Sequence, residues 1–347
     1  MKQRGQWRLV LILMMSFFMG SALTHTAFAA DDASEVGFSV KAELPKNQID
    51  QKQSYFDLKV QPGDEQTVKM AVYNSSNKAM KIKNEIHAAH TNANGQIEYV
   101  TPAKKQDKTL KQPLTKWVTL HEDKVITVPE NSEKTLTATI KVPKDATKGV
   151  ALGAWYFERV VKDQQTKEAK GMTINNRYGY AVGMKLTVDH TVSPKLALND
   201  VKPGLRNYRK GIFANLQNSQ PAIISGLTVT GKVYREGSNK VVKEAKLEHV
   251  GMAPNSNFDF PILYGKDELL PGKYVVKMTA KNSDHQWSFT KKMTITSEDA
   301  SKVNKKALDK APERNVLWYV AGGVLLAIVV GGLIWIIVRF AWRRQEK

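Results

Sequence analysis

Apolar residues recur at every second position along most of this chain. Val68, Met70 and Val72 would share one face of an extended segment, as would Leu136, Ala138, Ile140 and Val142, while Val276, Met278 and Ala280 oppose Val275, Lys277 and Thr279. Side chains alternate between faces only in strands, so this period predicts half-buried β-strands. Between the two ends of the chain, no segment sustains the 3.6-residue apolar period of a helix with a buried stripe. Turn chemistry separates the runs at Pro62-Gly63-Asp64, Asn74-Ser75-Ser76-Asn77, Asn94-Gly95, Pro129-Glu130-Asn131, Glu236-Gly237-Ser238-Asn239 and Pro271-Gly272. Asn94-Gly95 suits a tight hairpin, because both residue types tolerate positive φ. Many short strands with frequent turns predict an all-β chain of two tandem immunoglobulin-like β-sandwich domains.

The two ends read differently. Residues 1–30 carry Lys2, Arg4 and Arg8, then an apolar run from Leu9, then Ala27-Phe28-Ala29-Ala30, which is the order of a secretory signal peptide. Val316 to Val338 holds no charged residue and would reach about 34 Å as a helix, against about 30 Å of hydrocarbon. We therefore expect one C-terminal transmembrane helix over 316–338. Arg339, Arg343, Arg344 and Lys347 make residues 339–347 a basic cytoplasmic tail and leave the rest outside the cell.

About 280 residues lie between these ends, enough for two cores. A boundary is expected at Val192-Ser193-Pro194, giving domains at 31–193 and 194–297, followed by a polar, lysine-rich stalk over 298–315. The chain has no cysteine, so an exported protein of this kind draws its stability from buried apolar surface without disulfides or thiolate metal sites. Net charge is +4 over 31–193 and +8 over 194–313. Outside the cell this excludes nucleic acid and points to anionic wall polymers, peptidoglycan carboxylates, lipid headgroups or acidic proteins as electrostatic partners.

No Gly-x-Ser-x-Gly elbow, Walker loop, His-Glu-x-x-His or cysteine nucleophile is present, so no enzyme is expected. His87 and His90 fall on opposite faces of a strand, and the remaining histidines are scattered, so neither metal nor other cofactor is expected.

Several stretches together carry a resemblance. In the first domain they are Phe38-Ser39-Val40, Leu44 to Ile49, Ser54 to Leu58, Pro62-Gly63, Thr91 to Gly95, Val142-Pro143, and Asn175 with Tyr178. In the second they are Ala214 to Asn218, Met252 to Phe258, Pro271 to Tyr274 and Trp287 to Thr290. In this order they resemble the WxL-interacting protein family of Gram-positive bacteria. That resemblance implies a peptidoglycan-binding first domain and a second domain that engages host surface or extracellular matrix proteins. It also implies secreted WxL-domain surface proteins as partners and a C-terminal membrane helix. Two sandwiches and a stalk have a short reach above the bilayer, about 130–140 Å, so we expect a single-pass protein of the cell membrane whose outer part lies within the wall. A host-matrix adhesin and a regulator of wall remodelling are the alternative readings.

Contact residues do not transfer with the resemblance and are argued from chemistry. Asn47, Gln48 and Tyr55 interleave carboxamides with an aromatic face, as a glycan-peptide ligand requires, and Asn92, Asn94 and Tyr99 form a second such group. The opposing reading is that buried Asn and Gln tie down long loops. Trp155 and Phe157 should pack in the core, leaving Tyr156 as the exposed aromatic. In the second domain, Asn255 and Asn257 with Arg235, Lys243 and Lys246 as a basic surround form a candidate protein-binding loop, against the reading that these Asn residues cap backbone groups.

Overall fold

The computed structural model describes residues 36–161, 177–309 and 316–345, so the expected signal peptide lies outside the described residues. The alternating runs are strands. The first eleven are β1 Phe38–Glu43, β2 Phe56–Val60, β3 Glu65–Asn74, β4 Met80–Ala88, β5 His90–Thr91, β6 Ile97–Glu98, β7 Val118–Leu120, β8 Val125–Val128, β9 Ser132–Lys141, β10 Gly149–Arg159 and β11 Gly179–Val188. One sheet has the order β1-β3-β9-β7 and a second the order β2-β11-β10-β4-β8, with β5 and β6 forming a separate hairpin. All pairings in the two sheets are antiparallel except β2 with β11.

The inward positions of both sheets meet in one core that includes Phe56, Leu58, Met70, Leu136, Trp155 and Phe157, none of them measurably exposed. Trp155 stacks on Phe157 at 5.7 Å, and its indole N–H donates to Asn84 Oδ1 at 2.6 Å. Buried Asn74 donates its amide to the carbonyls of Lys78, Val128 and Pro129, tying the β3–β4 turn to the end of β8.

The second unit begins after residue 195. Its strands are β12 Leu196–Arg206, β13 Arg209–Asn218, β14 Ile224–Arg235, β15 Val241–Met252, β16 Ser256–Leu263, β17 Gly272–Lys281 and β18 Gln286–Ile295. A sheet β12-β13-β16 packs on a sheet β15-β14-β17-β18 around Leu216, Val229, Phe260 and Val276. Asn218 repeats the role of Asn74, donating to Ala222 O and Ala253 O at 2.6 and 3.0 Å. The chain is thus two β-sandwiches in tandem.

Residues 298–306, expected as stalk, are instead part of the second unit. Helix α1, Ser297–Lys306, is capped by Thr296, whose hydroxyl accepts from Asp299 N. Ala300 and Val303 share a face three residues apart and enter the second core. Asn304 then brackets Leu269 with two hydrogen bonds, and Leu308 N donates to Tyr208 O at 3.0 Å. Lys210, 2 % exposed, donates to the carbonyl of Asp309 and lies 3.7 Å from its carboxylate. Little apolar surface was needed, because the helix covers the end of a core that the strands have already built.

Helix α2 runs over Val316–Gln345, 30 residues. Its described side chains, 322–336, are exposed throughout. Among the described residues no helix is long and apolar enough to cross a membrane, so the expected crossing over 316–338 is not shown.

Candidate functional site

Two features bring polar and aromatic side chains together: the junction between the sandwiches, and a cleft beside it. At the junction the β5–β6 hairpin reaches from the first sandwich onto β15 and β16. Its turn is the expected Asn94-Gly95, with Asn92 N donating to Gln96 O at 2.8 Å and Gly95 at φ +71°. A side chain at Gly95 would press on Val250 and Phe258 at 3.1–3.3 Å, so glycine here serves both turn and contact. Gly251 N donates to Gly95 O at 2.8 Å, Ala253 N to Thr91 Oγ1 at 3.1 Å, and Val150 N to Pro221 O at 2.7 Å. Ala89, Val150, Leu152 and Ala253 form a small apolar cluster between the two units.

Asp107 is the polar centre of the junction. Its carboxylate accepts from Gln217 Nε2 at 2.8 and 2.9 Å, from Asn257 Nδ2, and from Thr109 N and Oγ1 at 2.8 and 2.7 Å. Burial by itself would raise the Asp107 pKa, but the hydrogen bonds from Thr109, Asn257 and Gln217 outweigh it and hold the carboxyl below its ordinary value of 3.8. A carboxylate depressed in the folded state stabilises fully above its unfolded pKa, and that contribution fades as pH falls through the folded one. We therefore expect the junction to loosen on acidification below about pH 4. Small-angle scattering from pH 5 downward should show the chain lengthening, and Asp107→Asn should remove that step; an identical profile in the variant would show that other groups govern it.

The cleft lies along β11 and has a volume of about 480 Å³. Parallel pairing sets Met184 opposite Phe56, which brings Tyr55 beside Gly183; a side chain there would touch Tyr55 at 3.6 Å. Tyr180 stands edge-on to Phe38 at 5.1 Å and 89°. Tyr99 follows the β5–β6 hairpin, and Ile223 closes the cleft from the second sandwich. Burial raises the Tyr99 phenol pKa, so its hydroxyl stays neutral at physiological pH. Lys185, also lining the cleft, holds Asp57 at 3.1 Å. Three phenol rings with a lysine–carboxylate pair offer flat apolar faces together with donors and acceptors, a combination that suits a sugar or a short peptide.

The structure brings Tyr55 and Tyr99 of the sequence-predicted residues together here and adds Tyr180 and Lys185. The carboxamides do other work. Gln48 donates to Asp50 O and Tyr55 O and accepts from Asp57 N, while Asn47 bonds Lys59 O, so both are loop ties. Asn92 Oδ1 accepts from the backbone of Asn94 and Gln96 and closes the hairpin turn. Tyr156, expected at the surface, is 7 % exposed: it stacks on His87 at 4.8 Å and donates to Glu158 at 3.0 Å. Burial first, then the Glu158 bond, push its pKa up to about 12. Strand alternation put Tyr156 on the face opposite Trp155 and Phe157, as found, but His87 and Glu158 cover it there, so the expected exposure does not hold.

In the second sandwich, Asn255 adopts φ +48° and bonds Gln220 O and Ser219 O, which makes it a turn residue. Asn257 belongs to the Asp107 node. The basic surround does not form: Lys243 lies nine residues up β15 from Met252, about 30 Å away. Lys243 pairs with Asp267 at 2.7 Å, Lys246 with Glu248 at 2.5 Å, and Arg235 lies over the Tyr274 ring at 5.1 Å. Among the described residues no group of three His, Cys, Asp or Glu side chains could hold a metal ion.

Comparison with known proteins follows this division. Residues 38–159 match the family model described as WxL Interacting Protein, peptidoglycan binding domain, and residues 169–305 match WxL Interacting Protein, host binding domain. The second match takes in β11, which is hydrogen-bonded into the first sandwich. No curated protein matches the chain. Among solved structures, a chaperone–tip adhesin complex of CFA/I fimbriae is 14% identical, with 74% of this chain and 97% of that one covered at a TM-score of 0.30. The Escherichia coli chaperone DraB is 12% identical, covering 75% and 98% at 0.27. Likeness at that level carries neither function nor detail of fold.

Proposed function

The chain belongs to the WxL-interacting protein family, and from that premise we propose that it is a non-enzymatic cell-surface scaffold whose first sandwich grips peptidoglycan in the tyrosine cleft. Both matched models describe binding domains, and the cleft is the observation that supports a ligand site in the first of them. A glycan chain laid along β11 would meet Tyr55 and Tyr180 with its apolar faces, while Lys185 faces stem-peptide carboxylates. The first unit on this reading ends at the linker near 193, because β11 completes its sheet.

The second sandwich would then dock protein, either a WxL-domain surface protein or a host matrix protein. Residues 1–30 serve as a signal peptide, and the charge-free stretch Val316 to Val338 spans the membrane, which places the sandwiches outside the cell and within the wall.

Cosedimentation of the full chain with purified, polymer-stripped sacculi tests the cleft. Tyr55→Ala with Tyr180→Ala should weaken binding about tenfold, equivalent to about 1.4 kcal/mol. Gln48→Ala should act only through loop stability. Unchanged sedimentation of a folded double variant would remove the cleft from peptidoglycan recognition.

A further inference from the structure

The outer face of the sheet β15-β14-β17-β18 is a flat field of lysine and hydroxyl side chains. Register makes it a grid. Lys232, Lys277 and Thr290 stand side by side across β14, β17 and β18, and Thr230, Thr279 and Ser288 form the neighbouring row. Lys273 and Lys281 extend the β17 line on either side of Lys277, about 13 Å away each. All six residues on β17 and β18 in this set are exposed.

Lys232 and Lys277 are directly opposite each other, some 5 Å apart at the backbone, an arrangement that costs stability for like charges. Two neighbours moderate it: Glu244 pairs with Lys232 at 3.3 Å, and the Tyr234 ring lies 5.1 Å from the Lys277 ammonium. Lys246 and Lys292 are also paired, with Glu248 and Glu236. Lys273, Lys277 and Lys281 form no ion pair among the described residues. The face therefore carries six lysines against three glutamates, with the unpaired charge concentrated along β17.

We propose that this face binds a linear polyphosphodiester of the polyol-phosphate kind, one phosphate resting between the two rows and the chain following the β17 lysines. Lysine ammonium groups and hydroxyls are donors suited to phosphate oxygens, and their spread over three strands of an open sheet face favours an extended polymer over a small anion. A protein partner fits less well. Interface centres are enriched in aromatic residues, Met and Arg and depleted in Lys and Ser, whereas Tyr234 and Val275 are the main apolar side chains among these rows. The inference does not depend on the tyrosine cleft, which lies in the other sandwich.

Titration of the full-length protein in detergent with soluble polyglycerol phosphate tests it. Lys232→Gln with Lys277→Gln should weaken binding about tenfold and lower the slope of log K against log salt by about two, one for each lysine removed. Its thermal midpoint should stay close to that of the parent, since relief of the like-charge contact offsets loss of the Glu244 pair and the Tyr234 ring contact. Lys41→Gln with Lys69→Gln on the first sandwich should leave polymer binding as it was. Sedimentation with polymer-stripped sacculi should be the same for both variants and the parent, so failure here and failure of the cleft are separately visible. Equal polymer affinity in the grid variant, or an equal loss in the control variant, overturns the proposal. Polyglutamate binding as tight as polyglycerol phosphate would overturn the phosphodiester assignment in favour of an acidic protein.

Discussion

Trp155→Ala should lower the stability of the first sandwich by about 3–5 kcal/mol, the range for removing a fully buried tryptophan. Trp155 is 0 % exposed at the centre of its core, and its indole satisfies Asn84, which is itself buried. Truncation opens a cavity against Phe157 and strands the Asn84 carbonyl, a further loss of about 1–3 kcal/mol where no water enters. Domains of this size have only about 5–15 kcal/mol in total. Calorimetry should show the midpoint falling by roughly 6–20 °C, at about 2–4 °C per kcal/mol. Trp155→Phe keeps most of the volume and should lose less than half as much. If the alanine variant melts within a degree or two of the parent, the core is not organised around this side chain.

Gly149→Ala should separate the two sandwiches without unfolding either. Gly149 sits at φ +121°, a conformation that L side chains rarely adopt, and a methyl there would lie 2.4 Å from Pro221 O. That carbonyl is the acceptor for Val150 N, so Pro221 has to move and the junction bond breaks. Backbone strain alone costs about 1–3 kcal/mol. Trypsin cleavage after Lys195, the exposed linker lysine, should accelerate at least about tenfold, in line with 1.4 kcal/mol per decade. Gly63→Ala is the control: φ is +89° but the nearest atom is 3.7 Å away, so it strains the backbone without touching the second sandwich. Equal cleavage rates in the parent and Gly149→Ala would mean that the junction is not closed at this point.

Strands were readable because a sandwich core writes its period into each one: the run through Leu136, Ala138 and Ile140 is β9, with those three side chains buried. Family membership was also legible, since it rests on residues spread along both units. Readings failed where long-range contacts decide exposure. Tyr156 faces outward from β10, yet His87 of the neighbouring strand β4 stacks on it, and nothing local in Trp155-Tyr156-Phe157 records that. Helix α1 did leave a signal, Thr296 three residues before Asp299 and then Ala300, Val303 and Ala307, but its apolar stripe is too thin to stand out from a solvated segment. Asp107 could not be found at all, because Gln217 and Asn257 lie 110 and 150 residues away. Of the cleft, Tyr55 and Tyr99 were visible as aromatics among polar residues, whereas Tyr180 and Lys185 acquire meaning only through the parallel register of β2 and β11.

The grip of Lys210 on Asp309 decides how the second sandwich meets a mechanical load. Tension applied from beyond residue 309 reaches Asp309 and Leu308 first, and these are fastened to Lys210 at the start of β13 and to Tyr208 in the β12–β13 turn. Pulling is thereby shared with the opposite sheet before it can peel α1 away from β18. A surface protein tugged by its partner would resist at two strands at once, and its lifetime under force would depend on how fast that buried lysine lets go.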